Sequence, residues 1–202
     1  MRTLHSIVLA SASPRRYQLL ASLGIDVRVV VSNVVEGARP GYGPRELAAL
    51  HASAKAGAVA RTEPQALVVA ADTVVDLDGT IVGKPRDARE AAEILAALAG
   101  REHVVHTAYV VLDSANSHRI AQTHSTRVWF APLERATIDA YVATGEPLDK
   151  AGAYGIQGRG AALVERIEGD FYTVMGFPLG DFVRRLPELG YALPEASTAA
   201  AT

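Results

Sequence analysis

Residues 7–16 read Ile7-Val8-Leu9-Ala10-Ser11-Ala12-Ser13-Pro14-Arg15-Arg16. The first four are apolar and two of them are β-branched, the pattern of a short buried strand. Ser13 followed by Pro14 is an N-cap with proline at the first helical position. The serine hydroxyl accepts a free N–H of the first turn, and proline lacks a donor where none is needed. Leu19, Leu20 and Leu23 then fall on one face, and Gly24 supplies a left-handed end. The segment is therefore strand, tight turn, helix. It leaves the unpaired N–H groups and partial positive charge of a helix N-terminus at the end of a buried strand, an arrangement that binds phosphate. Arg15 and Arg16 oppose the dipole there, a cost that points to an anion. An ordinary capped helix with two surface arginines is the competing reading.

Outward from this unit, residues 27–31 form a second strand and residues 36–43 a loop rich in glycine and proline. Pro44 opens a second helix with Leu47, Leu50 and Ala54 on its apolar side. A third strand over 67–71 ends at Asp72. Val74-Val75 and Ile81-Val82 flank Asp78-Gly79, a hairpin signal. Asp87 caps a helix that runs to Leu98 and closes at Gly100. Residues 103–112 and 123–130 read as two longer strands around a polar turn at 114–117. A helix over 134–144 and a glycine-dense loop over 145–160 follow. Residues 162–167 and 171–175 read as a hairpin around Glu168-Gly169-Asp170, and 178–189 as a last helix. Alternating strands and helices followed by hairpins predict an α/β fold, with a mixed β-sheet flanked by helices. One domain is expected over residues 1–193, and a disordered tail over 194–202.

Composition narrows the function. A chain of 202 residues with 49% hydrophobic residues can bury a core without disulfides, and it contains no cysteine. That removes thiolate nucleophiles and Cys-ligated zinc, and it fits a reducing, cytoplasmic compartment. A net charge of −2 gives no field for long nucleic acid, while a few local cations suffice for a small anion. No export signal and no membrane-spanning stretch is visible. A homodimer is compatible with the sequence.

Three more segments carry chemistry. Asp72 in Ala71-Asp72-Thr73 follows a buried run and falls at the sheet rim, where open α/β sheets bind ligands. It could ligate a cation or take a proton from water; a plain strand-ending turn is the alternative. Gly83-Lys84-Pro85 is not a Walker A loop, because Pro85 stands where Ser or Thr is required. Lys84 can still meet a phosphate as a point charge, or be a solvated turn lysine. In residues 149–158, glycines admit close backbone approach, and Gln157 offers an amide donor and acceptor suited to a base edge. The competing reading is a flexible connector. His103 and His106, three apart in a strand, point to opposite faces and cannot share a metal. They, His118 and His124 read as surface or structural residues.

Read together, LASASPRR, ADTVV, GKPRDA, STRVWF, YVATGEPLDKAGAYGIQG and GDFYTVMGFPL resemble the Maf family of nucleoside triphosphate pyrophosphatases, in order from Ile7 to about Leu186. The resemblance implies a fold similar to the inosine triphosphate pyrophosphatases, with two lobes around a cleft. It implies a divalent cation, Mg2+ or Mn2+, and Asp72 as the proton acceptor. It places Ser11, Arg16, Glu36, Lys55 and Lys84 on the cleft, with Glu36 and Asp72 as metal ligands. Arg15, Thr73 and Gln157 match the positions that differ between subgroups, and here resemble the subgroup acting on dTTP and UTP rather than on 7-methyl-GTP. Gln157 suits the imide edge of thymine or uracil. Two other readings compete: a nucleotidyltransferase using the same charges, and a nucleotide-binding regulator of cell division without important turnover. Free monophosphate plus pyrophosphate as products separates hydrolysis from both.

Overall fold

The structure is a computed structural model and describes residues 1–195; from residue 196 the expected tail lies outside the described residues. In chain order the elements are β1 (Arg2–Thr3), β2 (Ser6–Leu9), α1 (Pro14–Ala21), β3 (Asp26–Val29), α2 (Pro44–Ala60), β4 (Leu67–Leu77), β5 (Thr80–Val82) and α3 (Ala88–Leu98). They continue with β6 (Glu102–Asp113), β7 (His118–Phe130), α4 (Arg135–Val142), β8 (Val164–Glu168), α5 (Phe171–Met175), α6 (Leu179–Arg185) and β9 (Tyr191–Ala192). The main sheet runs β3-β2-β4-β6-β7-β8, with β5 also on β4. β2 is parallel to β3 and β4, and every other pair in this sheet is antiparallel. The sheet is mixed and helices flank it, as the alternation of elements predicts.

Two expectations about strands are corrected. β4 does not end at Asp72 but continues to Leu77. Thr73, Val74 and Val75 favour extended backbone, and the register with β6 runs unbroken from Leu67↔Asp113 to Asp76↔Val104. Residues 171–175 are not the second arm of a hairpin but α5. The Asp170 carboxylate accepts the Thr173 N–H at 2.6 Å and its hydroxyl at 2.8 Å, capping a helix where a strand was expected. The last helix splits, with α6 giving way to a 3-10 turn at Leu186–Leu189. On α2, Ala54 faces solvent and the buried stripe is Leu47, Ala48, His51, Ala52, Lys55, Ala56 and Val59.

The long β4 positions the site. β2 pairs with its edge at Val68 and Val69, and Ala10 adds one more bond to the Val69 carbonyl. β5 takes over the same edge only at Val75. Between them the edge carries no strand, and Asp72 and Thr73 lie in the gap. Two lobes meet there. One packs α1 and α6 on one face of the sheet and the alanine-rich face of α2 on the other. The second packs α3, α4, Phe130 and Tyr154 around Val75 and Val105. The hairpin closing β4 onto β5 turns at Asp78 (φ 52°) and Gly79 (φ 81°), the two positive angles that a two-residue hairpin needs.

His103 sits in the second core. Its Nε2 lies 2.7 Å from the Tyr154 hydroxyl, and its ring meets Phe130 and Tyr154 edge-on. Burial pulls its pKa down to about 4 from the ordinary 6.5, against a weaker opposite pull from Glu102. Between those two values the unfolded chain binds a proton that the folded chain refuses, so stability falls as pH drops through that window. We expect wild type to lose about 3 kcal/mol more than His103→Gln between pH 7 and pH 4, read from urea midpoints at each pH.

Candidate active site

The gap in the β4 edge opens into a cleft of ≈ 320 Å³. Its floor is Asp72 and Thr73. One wall is the turn from Ala10 to Arg16 with Glu36 and Lys55; the other is Lys84 and residues 149–151 with Tyr154. Of the sequence-predicted residues, Ser11, Arg15, Arg16, Glu36, Lys55, Asp72, Thr73 and Lys84 all line it. Gln157 does not. It is exposed in a side hollow of ≈ 160 Å³, which shares Arg15, Lys150 and Met175 with the main cleft.

At the floor Asp72 is only 5% exposed. Lys55, 6% exposed, places Nζ 2.6 Å from Asp72 Oδ1 and 2.8 Å from Glu36 Oε1. His51 Nδ1 lies 3.1 Å from Asp72 Oδ2. His51 and Lys55 are one turn apart on α2, so both reach the same strand. Glu36 comes from the irregular segment after β3. Partial burial pushes its pKa up, but Lys55, His51 and Lys84 together hold it below the usual carboxylate value. One ligand atom from each of Glu36, His51 and Asp72 lies within 4.8 Å of the others, a donor set able to hold a divalent cation. His51 belongs to no motif, and the sequence reading missed it. The available signal was a histidine four residues before Lys55, both on a helix face otherwise made of alanine, leucine and valine.

The N-terminus of α1 forms as predicted: Ser13 caps it and Pro14 opens it. Arg16 then behaves differently from Arg15. Its Nε donates to the Gly176 carbonyl at 2.9 Å, Nη1 to Ser11 Oγ at 3.2 Å and Nη2 to Thr73 Oγ1 at 2.9 Å. Burial lowers its pKa despite the opposing field of Asp72. Donor counting fixes the rest of the chain. Thr107 donates its hydroxyl to the Thr173 carbonyl at 2.7 Å, so at 2.9 Å it must accept from Thr73. Thr73 thus spends its hydroxyl on orienting Arg16. The three subgroup positions do not converge: Arg15 borders both hollows, Thr73 the cleft alone and Gln157 the side hollow alone. Arg15 can lie along the loop because Gly155 has no side chain; a Cβ there would meet Arg15 Nη1 at 3.3 Å and Lys150 Cε at 3.1 Å.

These contacts separate two mutants. Arg16→Ala strands the buried acceptors that the guanidinium satisfies, and we expect a loss of about 2–3 kcal/mol of stability in urea denaturation. Lys84 is exposed on the rim, so Lys84→Ala should leave stability unchanged and weaken the binding of a phosphorylated ligand roughly tenfold or more, read from a titration with inorganic pyrophosphate.

Fold and site together define an α/β protein whose cleft sets cationic side chains and a helix N-terminus around a buried carboxylate, an arrangement for a phosphorylated ligand and a nearby cation. The chain belongs to the Maf-like protein family, which it matches over residues 6–189. It is 47% identical over 190 residues to the dTTP/UTP pyrophosphatase of Symbiobacterium thermophilum, covering 94% of this chain and 97% of that protein. It is 45% identical over 185 residues to that of Pelotomaculum thermopropionicum, covering 92% and 97%. It is 44% identical over 193 residues to that of Methanosarcina barkeri, covering 95% and 98%. Among solved structures, the Ham1 protein of Staphylococcus aureus aligns with a TM-score of 0.45 at 16% identity, over 62% of this chain and 72% of that one. No helix among the described residues is long and apolar enough to cross a membrane.

Proposed function

We propose that the chain hydrolyses dTTP and UTP to the monophosphate and pyrophosphate. The observation that carries this reading is the juxtaposition, in one cleft, of buried Asp72 with Arg15, Lys55, Lys84 and the N-terminus of α1. The names of the relatives support the substrate class. Arg15, Lys84 and the helix N–H groups neutralise the triphosphate. Asp72 keeps a second lone pair on each oxygen beyond those facing Lys55 and His51, and accepts the proton of a water attacking the α-phosphorus. Pyrophosphate leaves. Electrostatic positioning supplies most of the rate in such chemistry.

The donor set fits the divalent cation such chemistry uses. Magnesium and manganese are held by one or two carboxylates plus substrate phosphates, and Glu36 and Asp72 face one another across Lys55 Nζ. Held by the carboxylate oxygens that Lys55 leaves free, the cation would supply neutralisation of phosphate charge, while Lys55 keeps the two carboxylates together.

Gln157 in the side hollow reads the base. Thymine and uracil present a carbonyl acceptor beside an N3–H donor, which one amide can pair. A site built around such bonds rejects bases that leave its groups unpaired. We expect kcat/KM, measured by pyrophosphate release, to favour dTTP and UTP over CTP by about tenfold or more, because cytosine accepts at N3. Guanine carries the same O6 and N1–H pair, so the expected preference over GTP and 7-methyl-GTP rests on the names of the relatives. Gln157→Glu should erase much of that margin by removing the amide donor. A purine preference in wild type would overturn the base assignment.

A further inference from the structure

We propose that His51 is a positioning residue that orients the Asp72 carboxylate for its encounter with water. This rests on the hydrolytic reading above. The imidazole is 7% exposed and wedged between two partners. Nδ1 faces Asp72 Oδ2 at 3.1 Å; Nε2 lies 3.3 Å from the Gly37 amide nitrogen and 3.2 Å from the Gly37 carbonyl oxygen. A lone pair on Nδ1 would confront the carboxylate, so the proton sits on Nδ1. Nε2 meets Gly37 in either state, accepting its N–H through a lone pair or donating to its carbonyl when protonated. Gly37 directly follows Glu36. One ring thereby ties the carboxylate on β4 to the irregular segment that delivers Glu36.

Lys55 alone cannot set the carboxylate plane. A single ammonium on Oδ1 at 2.6 Å leaves rotation about the Cβ–Cγ bond open. A second donor on Oδ2 closes it and aims the remaining lone pairs into the cleft. Catalytic groups tolerate little misplacement: an error of about 1 Å can cost on the order of a hundredfold in rate.

The two contacts can be cut separately. Asparagine carries its amide nitrogen where His51 has Nδ1 and retains the Asp72 contact. Glutamine reaches toward Gly37 and loses it. With dTTP and saturating Mn2+, His51→Leu should lower kcat about tenfold with KM within about twofold; His51→Asn should restore most of kcat and His51→Gln should not. All three should melt within a few degrees of wild type. Equal kcat in the leucine variant overturns the proposal. So does a large rise in the Mn2+ concentration that half-saturates the leucine variant, with kcat regained at saturation, which would make His51 a metal ligand, or equal rescue by glutamine, which would make it only a tether. A second measurement reads the bond whether or not the protein turns over dTTP. In ¹⁵N-histidine NMR, His51 should show a proton on Nδ1, with a signal that shifts in Asp72→Asn. The Nε2-protonated tautomer, or a signal blind to Asp72→Asn, overturns the proposal. Absence of turnover in wild type with the NMR signature intact would overturn the hydrolytic reading instead.

Discussion

Replacing Asp72 by asparagine is expected to lower pyrophosphate release from dTTP by about a hundredfold or more, the scale of a lost general base. The substitution keeps shape and volume in the middle of β4, where the backbone register with Ala108 is set by the ladder and not by the side chain. It removes the charge that faces Lys55 and the acceptor strength that faces His51. Lys55 keeps Glu36 at 2.8 Å, so the buried ammonium is not abandoned and the fold should hold. Circular dichroism and a urea midpoint confirm the fold, and single-turnover release of pyrophosphate measures the step. Activity within a few-fold of wild type would remove Asp72 from the chemistry and leave it as a structural counterion.

Lys55→Met is expected to fail on the other count. Methionine fills the stem's volume, but Asp72 then stays buried with no ammonium, and breaking a buried ion pair from one side costs about 3–5 kcal/mol. Stability should drop by about that much in urea, and turnover should fall with it. The double variant Lys55→Met/Asp72→Asn should regain part of the stability and none of the activity, because both charges are gone together. Mn2+ gives a third reading. If Glu36 and Asp72 hold a cation, it should stabilise Lys55→Met more than wild type, since it replaces the missing charge and binds only the folded chain. A midpoint for Lys55→Met unmoved by Mn2+ would argue against the two carboxylates as its ligands.

Local physics made much of this molecule legible. The strand–turn–helix at residues 7–21, the Ser13 cap, the Asp87 cap and the Asp78-Gly79 turn each depend on residues within four positions of one another, and all appear where the sequence puts them. Arg15, Arg16, Asp72 and Lys84 of the cleft were also legible, since they sit in short motifs with their neighbours, whereas Glu36 and Lys55 sit in none and came from the family resemblance alone. The failures came where a competing partner lay close by or far off. Asp170 turned an expected strand into α5 by capping it, and β6 carried β4 past Asp72 by offering it a continuous ladder.

The sequence by itself determined most of the elements, the mixed character of the sheet and the set of charges available for a phosphorylated ligand. Only the tertiary structure decided how those charges are spent. Arg15 and Arg16 are adjacent in the same helical turn, and no local pattern of charge or hydrophobicity tells which of them is buried. Folding brings Ser11, Thr73 and Gly176 around one guanidinium and leaves the other at the boundary of two hollows. His51 and Asp72 are 21 positions apart, and nothing in either neighbourhood announces the other. Their contact exists because α2 lays one face across β4 where neither β2 nor β5 covers the edge, and such long-range coincidence has no local signature.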